Sequence, residues 1–184
     1  MPIQIHIKGN EIYDQYNNEF IETDDVDVVL EHSLLSISKW ESKWHKPFLN
    51  NEINKTNEEL MDYYRCMVVE PEEIDPKVFL FLSREQIKMI GDYIENPMTA
   101  TVINNRSKRK NREIITSELI YYWMAANQIP FECENWHLNR LLTLIQVCGI
   151  KNDPKGGKKM SKREIISEND RINEMRKAKY NTTG

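Results

Sequence analysis

The hydrophobic periodicity of the chain changes once, and this change most constrains the fold. Residues 3–7 (IQIHI) and 26–30 (VDVVL) alternate between apolar and polar positions, as half-buried strands do. Further along, apolar residues recur every three or four positions, which is the spacing of amphipathic helices. We therefore predict an α+β fold, with an N-terminal antiparallel β meander over about residues 2–36 packed on a mainly helical body over about residues 38–148.

The first helix is predicted from a capping box and a proline. Ser38 is followed three residues later by Glu41, so that each side chain can accept a hydrogen bond from the other's backbone amide. Pro47 cannot continue a helix because it has no amide hydrogen. We therefore predict a short helix from Lys39 to about His45.

Similar signals predict the helices that follow. Asn57 is a suitable N-cap for a helix within TNEELMDYYRCMVV, and Ser83 with Gln86 forms a second capping box, for a helix that ends at Asn96-Pro97. Two longer helices are predicted from EIITSELIYYWMAANQIP and ENWHLNRLLTLIQVCGI. The latter should start near residue 135 and end at Gly149, the residue just beyond the helix.

Tryptophan and aliphatic side chains on these helices form the predicted core. Trp40 and Trp44 lie four residues apart and share one side of the first helix with Ile37 and Phe48. We expect this stripe to pin the helix across the strands, and the alternative is an exposed docking face. The predicted core residues are Trp40, Trp44, Trp123, Trp136, Leu138, Leu141, Leu142 and Ile145.

Composition and charge change after Gly149. The segment KNDPKGGKKM contains a proline, two adjacent glycines and four lysines, which is typical of a linker. Residues 151–184 carry ten Lys or Arg against five Asp or Glu, whereas residues 1–150 carry 15 against 24. We therefore predict a globular α+β domain over residues 1–150, and a basic linker with a projecting C-terminal helix over residues 151–184.

Two basic segments are the predicted partner-binding elements. Residues 106–112 hold five cations in seven positions, and the C-terminal segment combines cations with a thin apolar stripe. Because no aromatic residue interleaves the loop and residues 1–150 are acidic in sum, we favour a solvated loop or a protein contact over nucleic-acid binding. The candidate partner-binding residues are Arg106, Lys108, Arg109, Lys110, Arg112, Lys158, Lys159, Lys162, Arg163, Ile165, Ile172 and Arg176.

The sequence contains no convincing catalytic or cofactor-binding motif. It has neither a glycine-rich phosphate loop nor a Gly-x-Ser-x-Gly elbow. His137 and Cys133 have helical spacing, but Cys133 precedes the predicted helix start, so the pair is not secured as metal ligands. We therefore predict a protein that is not an enzyme and that has no cofactor and no metal.

The sequence also bears on location. The N-terminus MPIQIHIKGN lacks the long apolar segment of a signal peptide, and no stretch approaches the roughly 18 apolar residues that span a bilayer. The three cysteines are far apart and form no Cys-x-x-Cys pair, as expected of reduced thiols. We expect a soluble, intracellular protein with no membrane partner.

Seven strings of the sequence resemble one protein family. They are LEHSLLSISKWESKWHKPFL, DYYRCM, NPMTAT, NREIITSELIYYWM, IPFECENWHLNRLLTLI, KKMSKREI and KAKYNTTG, and they extend over almost the whole chain from Leu30 onward. Through them the chain resembles the tail assembly chaperones of tailed bacteriophages, which are small proteins encoded among the tail genes near the tape-measure gene.

This resemblance implies an adaptor that binds the long helical tape-measure protein and helps recruit tail-tube subunits around it. It implies action in the cytoplasm of the infected bacterium, and it leaves a homo-oligomer open. A small body linked to a basic helix suits a module that holds its partners transiently. Two alternatives stay open: a minor structural protein of the virion, such as a connector or tail component, and a nucleic-acid-binding accessory protein that uses the basic loop and tail.

Overall fold

The described part of the chain lies between residues 2 and 152. The computed structural model describes residues 2–15, 18–50, 52–103 and 113–152. The chain forms two compact units, Met1–Gln146 and Val147–Gly184. The first unit contains an antiparallel sheet together with several helices, so the predicted α+β class is confirmed. The predicted projecting C-terminal helix lies outside the described residues.

The main sheet has three antiparallel strands in the order β1-β4-β5. β1 spans Ile3–Ile7, β4 spans Val26–Leu30 and β5 spans Val68–Glu70. The strands β1 and β4 bury alternate side chains, as their period of two predicts. The buried residues of these two strands are Ile5, Ile7, Val28 and Leu30.

A separate two-stranded hairpin is inserted between β1 and β4. Its strands are β2 (Glu11–Asp14) and β3 (Glu19–Glu22), which within the described part of the chain pair only with each other. The connectivity therefore differs from a simple meander, in which each strand pairs with the next one along the chain. The third strand of the main sheet, β5, comes from the end of a segment predicted as helix, where the β-branched Val68 and Val69 favour a strand.

Helix α1 begins earlier than the predicted Lys39. It spans Leu34–Trp44, and its capping box is formed by Ser33 and Ser36. The predicted cap at Ser38 is wrong, because that residue lies within the helix. The predicted strand zone up to about residue 36 is too long for the same reason, since β4 ends at Leu30 and the cap follows almost at once.

The remaining helices follow the predicted order. A capping box of Ser83 and Gln86 starts α3, as predicted, whereas the cap of α2 is Thr56 rather than Asn57. The bounds are α2 Asn57–Cys66, α3 Arg84–Glu95, α4 Ser117–Ala126 and α5 Leu138–Asn152, with 3₁₀ segments at Pro76–Phe81 and Phe131–Asn135.

Helix α5 starts and ends later than predicted. The chain near Asn135 forms a 3₁₀ segment, and the α-helix begins only at Leu138. Gly149 does not end the helix, which continues to Asn152. Since no described glycine adopts a positive φ, Gly149 lacks the left-handed backbone that the predicted cap requires.

The core of the first unit surrounds α1. Trp40 is fully buried, and its indole Nε1 donates a hydrogen bond to the backbone oxygen of Glu59 at 2.7 Å. The ring of Phe48 stacks on Tyr63 with 3.9 Å between centroids and meets Trp40 edge to face. The tryptophan that prompted the docking alternative is therefore a packed residue that joins α1 to α2.

The other predicted core residues differ in burial. Leu138, Leu141 and Ile145 are buried. A second set is only half-buried, and it comprises Trp44, Trp123, Trp136 and Leu142. The indole Nε1 of Trp44 donates a hydrogen bond to Oδ2 of Asp62 at 2.7 Å. The guanidinium of Arg140 lies over the ring of Trp136. Both indoles thus pair with charged side chains and stay partly exposed.

We expect Trp40→Ala to lower the free energy of unfolding by about 3–5 kcal/mol, because it leaves a cavity and removes the hydrogen bond from the indole to the backbone oxygen of Glu59. Trp40→Phe keeps most of the apolar volume and should cost less. Val102→Ala, at a side chain that is 84% exposed, serves as the control and should change stability by no more than about 0.5 kcal/mol. Urea denaturation followed by circular dichroism measures all three, and equal effects of the Trp40→Ala and Val102→Ala changes would contradict the packing.

Candidate protein-binding surface

The structure does not bear on the cations predicted to bind partners. The candidate residues within 106–112 and 158–176 all lie outside the described residues, so their role stays a prediction. Among the described residues, two arrangements merit attention as sites. One is a buried cluster of polar side chains, and the other is the exposed face of the β2–β3 hairpin.

The buried polar cluster consists of Glu31, His32, Tyr63, Tyr93 and His137, all of which are buried. The Tyr63 hydroxyl lies 2.5 Å from Nδ1 of His32, and the Tyr93 hydroxyl donates to Glu31 at 2.5 Å. Nε2 of His137 lies 3.0 Å from the backbone oxygen of Tyr93. The two histidine rings meet edge to face with 5.2 Å between centroids. The sequence places these histidines more than 100 positions apart, and only the fold brings them together.

Backbone pairing explains why the two histidines meet. His32 and Ser33 are the second and third residues after β4, and Ser33 forms an isolated antiparallel bridge with His137. The backbone amide of Leu138 also donates to the oxygen of His32 at 2.7 Å. The start of α5 is therefore fixed against the end of β4, with the imidazoles enclosed between them.

Burial sets the protonation states in this cluster. Together with the nearby His137, it lowers the pKa of His32 to about 3. Burial also lowers the pKa of His137, although its hydrogen bond to Tyr93 opposes this shift. The pKa values of the Tyr63 and Tyr93 hydroxyls are raised by burial. At neutral pH both imidazoles are therefore uncharged and both hydroxyls keep their protons.

These protonation states bear on what the cluster can do. A general base works best with a pKa near the working pH, and burial moves His32 far below that range. Among the described residues, no group of three or more His, Cys, Asp or Glu side chains could hold a metal ion. His137, the histidine with the predicted helical spacing to Cys133, packs instead against His32 and Tyr93. We interpret the cluster as a hydrogen-bonded part of the core.

An open groove lies beside the cluster, with a volume of about 400 Å³. Its lining includes Glu31, Ser36, Lys39 and Cys66. Burial raises the pKa of the Cys66 thiol to about 11, so little thiolate is present at neutral pH. The cysteine in this groove is therefore a poor nucleophile.

The hairpin face is formed by Glu11, Tyr13, Phe20 and Glu22. Tyr13 and Phe20 are directly opposite each other in the register of β2 and β3, and their ring centroids are 4.9 Å apart. Tyr13 is 44% exposed and Phe20 is 67% exposed. Exposed aromatic side chains of this kind are typical anchors of protein interfaces.

The hairpin face lies on the side of the two strands opposite the buried Ile21. Ile21 follows Phe20 on β3 and is buried, whereas its register partner Ile12 is 50% exposed, so the body covers only part of the opposite side of the hairpin. Successive side chains of a strand point to opposite faces. Glu11 lies two residues before Tyr13, and Glu22 lies two residues after Phe20. Both glutamates therefore border the aromatic pair on the same side of the hairpin.

Contacts at the base of the hairpin hold it in place. A Cβ atom on Gly9 would lie 2.2 Å from the backbone oxygen of Thr23. Only glycine therefore permits the two segments at the base of the hairpin to approach this closely. The amide of Gly9 donates to Oδ1 of Asp25 at 2.8 Å, and that of Thr23 donates to the oxygen of Asn10 at 3.1 Å. The exposed aromatic pair is thus presented on a tethered element.

The hairpin is strongly acidic. Residues 9–25 contain six Asp or Glu and no Lys or Arg. No site was predicted in this segment, because it contains neither a cluster of cations nor a catalytic motif. The signal that would have found it is the alternation of aromatic and acidic residues in EIYD and EFIE, which a hairpin places on one face.

Comparison with known proteins adds no relative. No protein-family model, no curated protein and no solved structure matches the chain. Within the described residues, no helix has both the length and the apolar character needed to cross a membrane. The interpretation therefore depends on the geometry and on the sequence resemblance.

We expect the stability of the protein to fall as the pH drops below about 6.5. The folded pKa of His32, about 3, lies below the value of 6.5 for a free histidine, so between these limits the unfolded chain binds a proton that the folded chain does not. This group alone contributes a loss of up to about 1.4 kcal/mol per pH unit. Urea denaturation at pH 7.5, 6.5, 5.5 and 4.5 measures the slope.

The control for this titration is His32→Asn, which keeps a polar side chain and removes the titrating group. Whatever its stability at pH 7.5, this variant should show a shallower dependence on pH than the parent chain. Identical slopes in the two proteins would contradict the assignment of the effect to His32.

Proposed function

We propose that the chain is a non-enzymatic tail assembly chaperone of a tailed bacteriophage. In this role it binds the tape-measure protein and helps recruit tail-tube subunits in the cytoplasm of the infected bacterium. The sequence resemblance supplies the phage assignment, and the exposed hairpin face supports a role in protein binding.

The Tyr13–Phe20 pair is the observation that carries the proposal. Side chains of this size usually bury much of their surface, and those that stay exposed as a cluster commonly mark sites of protein contact. The hairpin is tethered at its base through Gly9, Asn10, Thr23 and Asp25. A preorganised face loses less conformational entropy on binding than a mobile one, which favours affinity.

The size of the face agrees with temporary binding. Four side chains cover much less surface than the interface of a permanent complex, which usually exceeds 2,000 Å². An assembly chaperone has to release its partners once the tail is built. A small contact that combines aromatic anchors with charged neighbours is suited to such release.

The direct test is purification of the chain with its proposed partners. When it is co-expressed with the tape-measure and tail-tube proteins of its phage, it should co-purify with the tape-measure protein. Mass spectrometry of purified particles should then find the chain absent. Its presence at a fixed stoichiometry in finished particles would favour the alternative of a structural virion protein.

Removal of the aromatic anchors should weaken this binding. We expect Tyr13→Ala with Phe20→Ala to reduce affinity for the tape-measure protein by roughly 30-fold or more, since interface anchors contribute at least about 1 kcal/mol each. Isothermal titration calorimetry measures the affinity, and circular dichroism checks that the body stays folded. Tyr122→Ala on α4 is a matched control, because this aromatic side chain is 66% exposed. Equal affinities of the hairpin variant and the parent chain would exclude the hairpin face as the binding element.

A further inference from the structure

We infer that the hairpin face receives a cationic segment of its partner, one that carries an apolar side chain between Lys or Arg residues. This inference rests on the proposed function, because the segment would belong to the tape-measure or tail-tube protein. It goes further in naming the chemistry that this face recognises.

The pairing of Glu11 with Glu22 supports a cationic partner. The two residues are directly opposite each other in the hairpin register, and both side chains are exposed. Like charges at opposing positions of two antiparallel strands destabilise the pairing. Among the described residues, no hydrogen bond or ion pair involves either carboxylate. The free hairpin therefore carries a repulsion that an incoming cation would relieve.

Three of the neighbouring acidic side chains have partners. Glu19 lies 3.4 Å from the ammonium of Lys77, and Asp27 lies 2.9 Å from Nδ1 of His6. Asp25 accepts the amide of Gly9. Glu11 and Glu22, which border the aromatic pair, have no such partner among the described residues, whereas the ion pair of Glu19 with Lys77 ties the hairpin to the body.

The combination of groups selects one class of partner. An arginine or lysine between the two carboxylates can form ion pairs and lie over the Tyr13 or Phe20 ring in a cation–π contact. An apolar side chain next to it can pack against the exposed edge of Phe20. An anionic segment would meet repulsion from both glutamates, so the face discriminates by charge.

The test removes both charges and keeps the shape of the side chains. Overlapping peptides of about 20 residues that tile the tape-measure and tail-tube proteins are titrated into the full chain and followed by fluorescence anisotropy. The peptides that bind should carry a net positive charge. Glu11→Gln with Glu22→Gln should weaken their binding about three- to tenfold, while the thermal unfolding midpoint of the free protein stays equal or rises.

This opposite response of affinity and stability separates recognition from a merely structural role. Raising the salt concentration from 50 to 300 mM should weaken the binding of the parent chain more than that of the variant. The control is Glu52→Gln with Glu132→Gln, which changes the net charge equally at exposed positions outside the hairpin.

Several results would overturn the inference and leave the proposed function in place. Peptide binding that is unaffected by the glutamine pair, or is equally affected by the control pair, means that the partner is recognised without these charges. Selective binding of anionic peptides has the same meaning. The chain alone could instead elute as a dimer or larger oligomer in size-exclusion chromatography. If the Tyr13→Ala and Phe20→Ala variant elutes as a monomer, the face binds a second copy of the chain. If no segment of either tail protein binds even to the parent chain, the proposed function itself fails.

Discussion

Helix α1 holds the first unit together through polar groups that are buried among apolar ones. The indole Nε1 of Trp40 donates to the oxygen of Glu59 on α2. One residue further on, the Glu41 carboxylate accepts the amide of Phe48 and that of Ser117, each at 2.7 Å. Leaving a buried polar group without its partner costs about 1–3 kcal/mol. The loop after α1 and the start of α4 are therefore fixed to the same helix by two specific bonds as well as by packing.

The body and the hairpin face differ in whether their charged side chains have hydrogen-bond partners. Within the body, Asp62 is bonded to Lys43, Trp44 and Arg65. Although burial raises the pKa of Asp62, the hydrogen bonds from Lys43 and Trp44 outweigh it and lower the pKa. On the hairpin face the relation is reversed, since the aromatic pair is exposed and two glutamates oppose each other. The body thus pairs Glu41 and Asp62 internally, whereas the hairpin presents carboxylates that a partner could pair.

The sequence predicted elements whose signals are local. Alternation located β1 and β4, and the box of Ser83 and Gln86 located the start of α3, because strand period and capping need only neighbouring residues. The predicted cap at Ser38 is wrong because the sequence offers a second, earlier capping box at Ser33 and Ser36. A helix that starts there buries Leu34 and Ile37. The histidine pair and the third strand depend on contacts between distant segments, which periodicity does not report. The hairpin face was not predicted, although the alternation of aromatic and acidic residues in EIYD and EFIE is a local signal.

Hydrogen–deuterium exchange with and without the proposed tape-measure partner shows whether the hairpin is the binding element, because it reports which backbone amides a partner protects. We predict slower exchange of the amides of residues 11–14 and 19–22 in the complex, with the amides of α1 and α2 exchanging as in the free protein. Protection confined to other segments, with the hairpin exchanging at its free rate, would exclude the hairpin as the binding element.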